Sequence, residues 1–221
     1  NFKKYDYISL SDQDDIWNKN KLSRAIEIIN KMNLDCYSSD VTVLFKDGKT
    51  AYLKKSHKQK KYDYLFEGGG PGSTFVMKKK FVINLKNNLK KNTKFTQKII
   101  FHDWYIYFFA RINNYKWNID NFTGLKYRQH GLNELGANIG AKIKIKRILY
   151  ILNSNFLNQI KYFFLLNKDK RKYFSFLFGS NKLNSLMFVV KNFLHFRRKN
   201  IEKFFCLFVL ILFIFRRKSL L

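Results

Sequence analysis

The chain has 221 residues, enough for one domain with an appendage. Its 43 Lys and Arg residues against 15 Asp and Glu residues give a net charge of +28, which favours an anionic partner such as a nucleic acid, a membrane surface or a phosphorylated substrate. Lys, Asn, Ile and Phe are all abundant, as in the product of an A/T-rich genome, so composition explains part of this charge. The two cysteines, Cys36 and Cys206, are too far apart for a disulfide framework or a metal-site spacing, and a reducing cytoplasm is the expected compartment.

An acidic turn lies near the start of the chain. Residues 5–10 predict a buried strand, and apolar residues recur at helical spacing from Lys19 to Met32. Between them stand Asp12, Asp14 and Asp15, whose charges repel one another unless a cation or hydrogen-bond donors hold them. A helix N-cap would need only one of the three. A divalent metal that also binds a diphosphate accounts for all of them, and both interpretations can hold together.

A hairpin and a glycine-rich turn follow. Residues 41–45 and 50–53 flank an Asp-Gly pair and predict the hairpin. Residues 56–63 are basic and irregular and predict an exposed loop. The run 68–72 holds four glycines and a proline, which predicts a sharp turn whose backbone amides can approach a sugar or a phosphate. Taken alone, such a turn is a weak indication of a site.

The next two helices differ in character. Residues 81–89 predict a short polar helix, whereas His102-Asp103-Trp104 opens an aromatic helix that runs to about Ile112. Asp103 is placed to cap this helix. Beside an aromatic wall its pKa would also be raised by desolvation, as a general base requires. The residue type alone leaves the cap and the base equally open.

Polar residues also follow the last predicted strands. Residues 117–119 and 124–127 predict two short strands, and Arg128 and His130 come directly after them. Arg128 would supply a cation for a departing diphosphate, and His130 a metal ligand. A lone histidine is more often structural, so this assignment depends on the other segments.

The character of the chain changes after about residue 140. Residues 142–221 carry 18 Lys and Arg residues but only two acidic ones, and residues 156–166 and 186–196 predict aromatic, basic helices. The apolar run 204–215 lies between basic clusters, yet as a helix it spans only about 18 Å, less than the roughly 30 Å hydrocarbon core of a bilayer. We expect an interfacial segment with basic anchors rather than a transmembrane helix. A buried C-terminal helix is the alternative.

Four segments occur together in one order: SDQDDIW at 11–17, GPGSTFVMKK at 70–79, FHDWYIYFFAR at 101–111 and YRQHGLNELGA at 127–137. In them the chain resembles bacterial family 2 glycosyltransferases of the GT-A fold, in particular the rhamnosyltransferase-like members of O-antigen and surface-polysaccharide pathways. The resemblance covers residues 1–140. It implies an α/β fold in which these residues are a partial, Rossmann-like GT-A domain that lacks its N-terminal nucleotide-binding half. Residues 141–221 are then expected to be a helical, basic, membrane-associating extension.

The resemblance also implies roles for individual residues. Asp12 and Asp14 would be the Asp-x-Asp element, one on the nucleotide ribose and the other on Mg²⁺ or Mn²⁺, and Asp103 would deprotonate the acceptor hydroxyl. The other implied contacts are Asp15, Arg128 and Gln129 on the donor diphosphate, His130 on the metal, and Gly72, Ser73, Thr74, His102 and Trp104 on the acceptor and sugar.

Together these roles imply metal-dependent sugar transfer with inversion at the anomeric carbon, and the resemblance favours rhamnose as the sugar. The donor would be a dTDP- or UDP-sugar, and the acceptor a polyprenyl-diphosphate-linked or other glycan at the cytoplasmic face of the bacterial inner membrane. Because the family's nucleotide-base pocket would precede Asn1, we expect an N-terminally truncated chain that binds donor poorly or not at all and is inactive by itself in the second case. One alternative is a noncatalytic, membrane-surface remnant of such an enzyme. The other is a basic nucleic-acid-binding protein, although no RNA-binding motif is found and no nucleic-acid partner is expected.

Overall fold

The structure is a computed structural model that describes residues 4–91, 93–128, 155–167, 179 and 181–216. The chain divides into two compact units. The first comprises residues 1–57, 68–87 and 102–147, and the second comprises residues 58–67, 88–101 and 148–221. The domain division at about residue 140, expected from composition and resemblance, stays a prediction.

The described elements alternate between short strands and helices. The strands are β1 (Tyr7–Ser9), β2 (Ile16–Trp17), β3 (Cys36–Leu44), β4 (Thr50–Leu53), β5 (Val76–Lys78) and β6 (Trp117–Arg128). The helices are α1 (Lys21–Lys31), α2 (Lys79–Lys90), α3 (Thr93–Thr96), α4 (His102–Ile112), α5 (Asn155–Leu166), α6 (Lys182–Asn192) and α7 (Asn200–Arg216).

The first unit is built on a mixed sheet. Its strand order is β1-β5-β3-β6-β2, with β4 paired to β3. Only β3 and β6 run parallel among the described pairs. Helix α1 packs on this sheet because Ala25 and Ile29, four residues apart, share one face and meet Tyr37 and Val76. A mixed α/β layer of this kind is compatible with a partial glycosyltransferase domain.

Aromatic rings fill the core beside α4. Most of this helix is buried, and its Tyr107 meets Trp117 edge to face, with ring centroids 5.2 Å apart. Trp117 in turn meets Phe75, just before β5, at 4.8 Å. Such edge-to-face pairs are favoured over stacked sandwiches by the ring quadrupoles. The start of α4 is therefore fixed against the sheet, which positions Asp103.

Most predicted elements of the first unit are confirmed, with one clear error. The predicted strand, helix and hairpin at the start correspond to β1, α1 and the antiparallel pair of β3 and β4. The division of residues 117–119 and 124–127 into two strands is wrong, because β6 is continuous. Register shifts around Asp40 in β3 accommodate the polar residues between the two runs without a turn. A further short strand, β2, follows the acidic turn before α1 begins.

The second unit has an aromatic core of its own. Phe66 and Phe196 have ring centroids 4.7 Å apart, and buried Arg198 donates from Nη2 to Glu67 Oε2 at 3.0 Å. The expectation of an exposed loop over residues 56–63 is wrong at its end, because Asp63 is fully buried. Helices α5, α6 and α7 confirm the helical character expected in the C-terminal region. Within the described residues, no helix is long and apolar enough to cross a membrane.

Candidate active site

Asp15 joins the acidic turn to two other segments. Its Oδ2 accepts a hydrogen bond from Ser73 Oγ at 2.6 Å, and its Oδ1 accepts one from the Arg128 backbone amide at 3.1 Å. Burial raises the pKa of Asp15, the two hydrogen bonds oppose that rise, and the charges of Asp12 and Asp14 add to it. Asp15 is therefore held by donors, as a carboxylate within an acidic cluster requires.

The other two aspartates have the chemistry that a hard cation prefers. Asp12 is exposed and Asp14 is half-buried, and the Arg128 Nε donates to the Asp14 backbone carbonyl at 2.9 Å. No group of three or more His, Cys, Asp or Glu side chains with metal-site geometry occurs among the described residues. Mg²⁺ is often held by one or two carboxylates together with substrate phosphates, so this donor set fits it. Gln129 and His130 lie outside the described residues.

The glycine turn, residues 68–74, packs tightly against the aromatic core. A Cβ on Gly69 would lie 2.8 Å from Tyr107 Cδ2 and 3.1 Å from the Trp117 ring. Neither ring is free to move, because both are buried and packed on each other. Gly70 has a φ of +128°, which side-chain-bearing residues rarely adopt. The glycines at these two positions are therefore required by packing and by backbone conformation.

The end of this turn lies against the first residues of α4. Ser73 and Thr74 are buried, and the Thr74 hydroxyl donates to the Pro71 carbonyl at 2.7 Å. A Cβ on Gly72 would lie 3.4 Å from Asp103 Cβ and 3.6 Å from His102 Nε2. A single short segment thus contacts the acidic turn through Ser73 and the aromatic helix through Gly72.

Asp103 has the electrostatics of a proton acceptor. Burial raises the pKa of its carboxyl, while the Trp104 backbone amide, His102 and Lys55 oppose that rise. The Trp104 amide donates to Asp103 Oδ1 at 2.7 Å. Asp103 lies inside the first turn of α4 rather than before it, where a negative charge is favourable for the helix dipole. Trp104 itself lies in the core, whereas His102 is exposed.

Lys55 was not singled out from the sequence, because it lies in a run of basic residues. Its backbone is anchored by Asp40, a buried carboxylate that accepts hydrogen bonds from the amides of Lys55 and Ser56. The Tyr52 and Ser56 hydroxyls also donate to Asp40. With four donors its charge is well satisfied. Asp40 thereby fixes the segment that brings a positive charge toward Asp103.

Lys21 is the second residue that sequence reasoning missed. It is only 3% exposed, and its Nζ lies 3.0 Å from the Trp17 ring centroid and 3.5 Å from Ser9 Oγ. Burial lowers its pKa to about 7, although the charges of Asp15 and Asp12 oppose the shift. The sequence does contain an indication that Lys21 is buried, because Lys21 stands four residues before Ala25 and so lies on the apolar face of α1.

The described residues therefore bring all four sequence segments together, the fourth of them through Arg128. Asp15, Ser73 and the Arg128 amide form one junction, and Gly72 against Asp103 forms the next. Carboxylates suited to a metal and a carboxyl suited to proton removal stand on either side of one glycine turn. This arrangement suits group transfer between an anionic donor and a hydroxyl acceptor.

Comparison with known proteins identifies the family. No family model matches the chain. It is 39% identical over 212 residues to the dTDP-rhamnosyl transferase RfbG of Shigella flexneri, a match that covers 96% of this chain and 72% of that protein. The chain belongs to the rhamnosyltransferase-like glycosyltransferases.

The match extends further along the chain than the sequence motifs do. The resemblance found in the sequence motifs ends at about residue 140, whereas the similarity to RfbG covers nearly the whole chain. The similarity therefore includes most of the C-terminal region of this chain.

Proposed function

We propose that this glycosyltransferase transfers rhamnose from dTDP-rhamnose to a hydroxyl of a glycan acceptor, as a family 2 enzyme of the GT-A fold. The donor is proposed from the similarity to a dTDP-rhamnosyl transferase. The observation that carries the chemistry is the glycine turn, which links Asp15 to Asp103 through Ser73 and Gly72. Donor diphosphate would lie on the acidic-turn side of this segment, and acceptor on the α4 side.

The proposed reaction is a single displacement with inversion at the anomeric carbon. The bond from that carbon to the diphosphate oxygen breaks as the bond to the acceptor oxygen forms, and the hydroxyl proton passes to the Asp103 carboxylate. A direct displacement needs one base and no protein nucleophile. The raised pKa of Asp103 brings its basicity closer to that of an effective general base near neutral pH. Arg128, exposed at the end of β6, would offer positive charge to the leaving diphosphate.

Metal dependence is part of the same proposal. Asp12 and Asp14 would hold Mg²⁺ or Mn²⁺, and the ion when bound would offset negative charge that develops on the diphosphate. Asp15 would keep the turn in place, because its two oxygens already accept hydrogen bonds from Ser73 and Arg128. Gln129 and His130 remain proposed contacts of the diphosphate and metal.

The acceptor is proposed to be a lipid-linked glycan of surface-polysaccharide synthesis, met at the cytoplasmic face of the inner membrane. The 18 Lys and Arg residues of positions 142–221 support this location, because anionic lipids attract basic segments near the bilayer surface. His102 and the buried hydroxyls of Ser73 and Thr74 mark the side where acceptor and sugar would meet.

Nucleotide release from a donor panel tests the proposal. The 221-residue chain would be offered dTDP-rhamnose and other dTDP-, UDP- and GDP-sugars. Each assay would contain lipid-linked acceptor and Mn²⁺, Mg²⁺ or EDTA. We expect dTDP release from dTDP-rhamnose that EDTA abolishes and that Asp14→Asn reduces by at least about tenfold. The matched control is Asp47→Asn, in the exposed hairpin turn, which should retain wild-type turnover. Absence of nucleotide release from every donor would contradict the proposal.

A further inference from the structure

Helix α6 exposes a continuous apolar stripe. Leu183, Met187 and Val190 of α6, and Leu194 in the short 3-10 turn that directly follows it, stand at spacings of three and four residues, which places them on one side of this segment. Each is between 51 and 64% exposed. The opposite face of α6 is already used, because Ser185 and Val189 are buried. Single exposed apolar side chains are ordinary, whereas a contiguous row marks an interaction surface.

Helix α7 repeats the arrangement with larger side chains. Ile201, Phe204, Phe208 and Phe215 lie on one face and are between 56 and 82% exposed. Its buried face is the other one, formed by Lys203, Val209, Leu210 and Ile214. Apart from Lys203, this helix is therefore apolar both toward its own unit and toward solvent.

The two stripes belong to one antiparallel helical hairpin within the second unit. At the connection, the rings of Phe193 and Phe204 have centroids 5.6 Å apart. At the open end, Lys182 Nζ donates to the Phe215 carbonyl at 3.3 Å. Residues 181–216 are called the apolar hairpin below.

Its charges decide what occupies these stripes. The apolar hairpin contains seven Lys and Arg residues but only one acidic residue, Glu202, which pairs with Arg197. Exposed cations stand at both ends: Lys182 and Arg216 at the open end, and Lys199 at the connection. A second copy of the chain would present the same positive charge and be repelled. An anionic bilayer offers the complementary charge and an apolar layer beneath it.

We propose that the apolar hairpin lies in the surface of an anionic membrane, with its two stripes in the boundary between headgroups and acyl chains and its end cations on lipid phosphates. Helix α7 has 17 residues and spans about 25 Å, short of the roughly 30 Å hydrocarbon core, so the hairpin lies in the surface rather than across it. The inference deepens the proposed function, since it assigns residues to its membrane location. The test of this inference measures membrane binding and does not require sugar transfer.

Vesicle flotation tests the proposal on the full chain. Phosphatidylcholine vesicles with and without phosphatidylglycerol would be mixed with the wild-type chain and with the hairpin variant Phe204→Ser/Phe208→Ser. The matched control is Met32→Ser/Ile83→Ser, which alters two exposed apolar residues of the first unit. Circular dichroism confirms that each variant is folded. We expect wild type and the control to bind only the anionic vesicles and the hairpin variant to lose at least about tenfold in affinity. Lys182→Gln/Lys199→Gln should weaken binding and flatten its salt dependence.

Three results would overturn the proposal. They are failure of wild type to bind anionic vesicles, equal binding by the hairpin variant, and a wild-type dimer in solution that the hairpin variant dissociates. Sugar transfer separates this inference from the proposed function. Vesicle binding without sugar transfer would contradict the enzymatic proposal alone. Sugar transfer by a protein that does not bind vesicles would contradict the membrane proposal alone.

Discussion

At the scale of single residues, the site depends on carboxyls whose pKa values are set by burial. Asp15 and Asp103 both have raised pKa values, yet their surroundings differ. Asp15 is held by two hydrogen bonds from other segments. Asp103 accepts one from the adjacent amide and lies at the edge of the glycine turn. Asp15 is therefore suited to fix a loop, and Asp103 to accept a proton.

The raised pKa of Asp103 predicts the acidic limb of the pH profile. A base must be ionised, so kcat/KM should fall as pH falls through the pKa of Asp103, above the value of about 3.9 for a free aspartate. Lys55 opposes the rise, and Lys55→Met should therefore move this limb to higher pH. Lys54→Met, at an exposed neighbouring position, is the control. A limb unmoved by Lys55→Met would contradict the electrostatic account.

Buried Lys21 predicts a pH-dependent stability. Its pKa is about 7 in the folded chain and about 10.4 when unfolded, so between these values the unfolded chain binds more protons and folding becomes more favourable as pH rises. Lys21→Met removes this pH-dependent contribution to the free energy of unfolding. The variant should gain most in Tm, relative to wild type, at or below about pH 7, and the difference should shrink toward about pH 10. A Tm difference that is the same across this range would show that Lys21 is not buried as a titrating group.

At the scale of elements, the glycine turn is the piece that makes the site. Gly69→Ala would place a Cβ against two packed rings, and overpacking of this kind costs about 1–3 kcal/mol of unfolding free energy. We expect a lower Tm together with loss of transfer, because the turn carries Ser73 and Gly72. Gly48→Asn, at an open hairpin position with φ +80°, should leave both unchanged. A Gly69→Ala variant with wild-type Tm would contradict the packing argument.

Elements with a strong local signal could be predicted from the sequence. Helix α4 follows from its aromatic run, and the β3–β4 hairpin from Asp47-Gly48. The continuity of β6 could not be predicted, because it depends on register shifts in a partner strand about 80 residues earlier. The sequence also grouped Asp15, Ser73 and Asp103 only by resemblance. The contact of Asp15 with Ser73, 58 residues away, and that of Gly72 with Asp103, 31 residues away, depend on tertiary packing rather than on local pattern.

At the scale of the whole molecule, the positive charge is unevenly distributed along the chain. The net charge of +28 is concentrated in the C-terminal region, most of which lies within the similarity to the rhamnosyltransferase-like relative. The second unit packs its own aromatic core and leaves the two stripes of the apolar hairpin exposed. The basic charge and the exposed stripes are the observations on which we propose an acceptor held at an anionic membrane.

The most direct test of the account is the turnover number of Asp103→Asn with dTDP-rhamnose, measured beside wild type and Asp47→Asn. Removal of a general base lowers rates by about 10²- to 10⁴-fold, so we expect a fall in kcat of that size with a nearly unchanged KM for the donor. Asp47→Asn should keep the wild-type kcat. A wild-type kcat in Asp103→Asn would contradict the assignment of Asp103 as the base, and with it the mechanism proposed for this site.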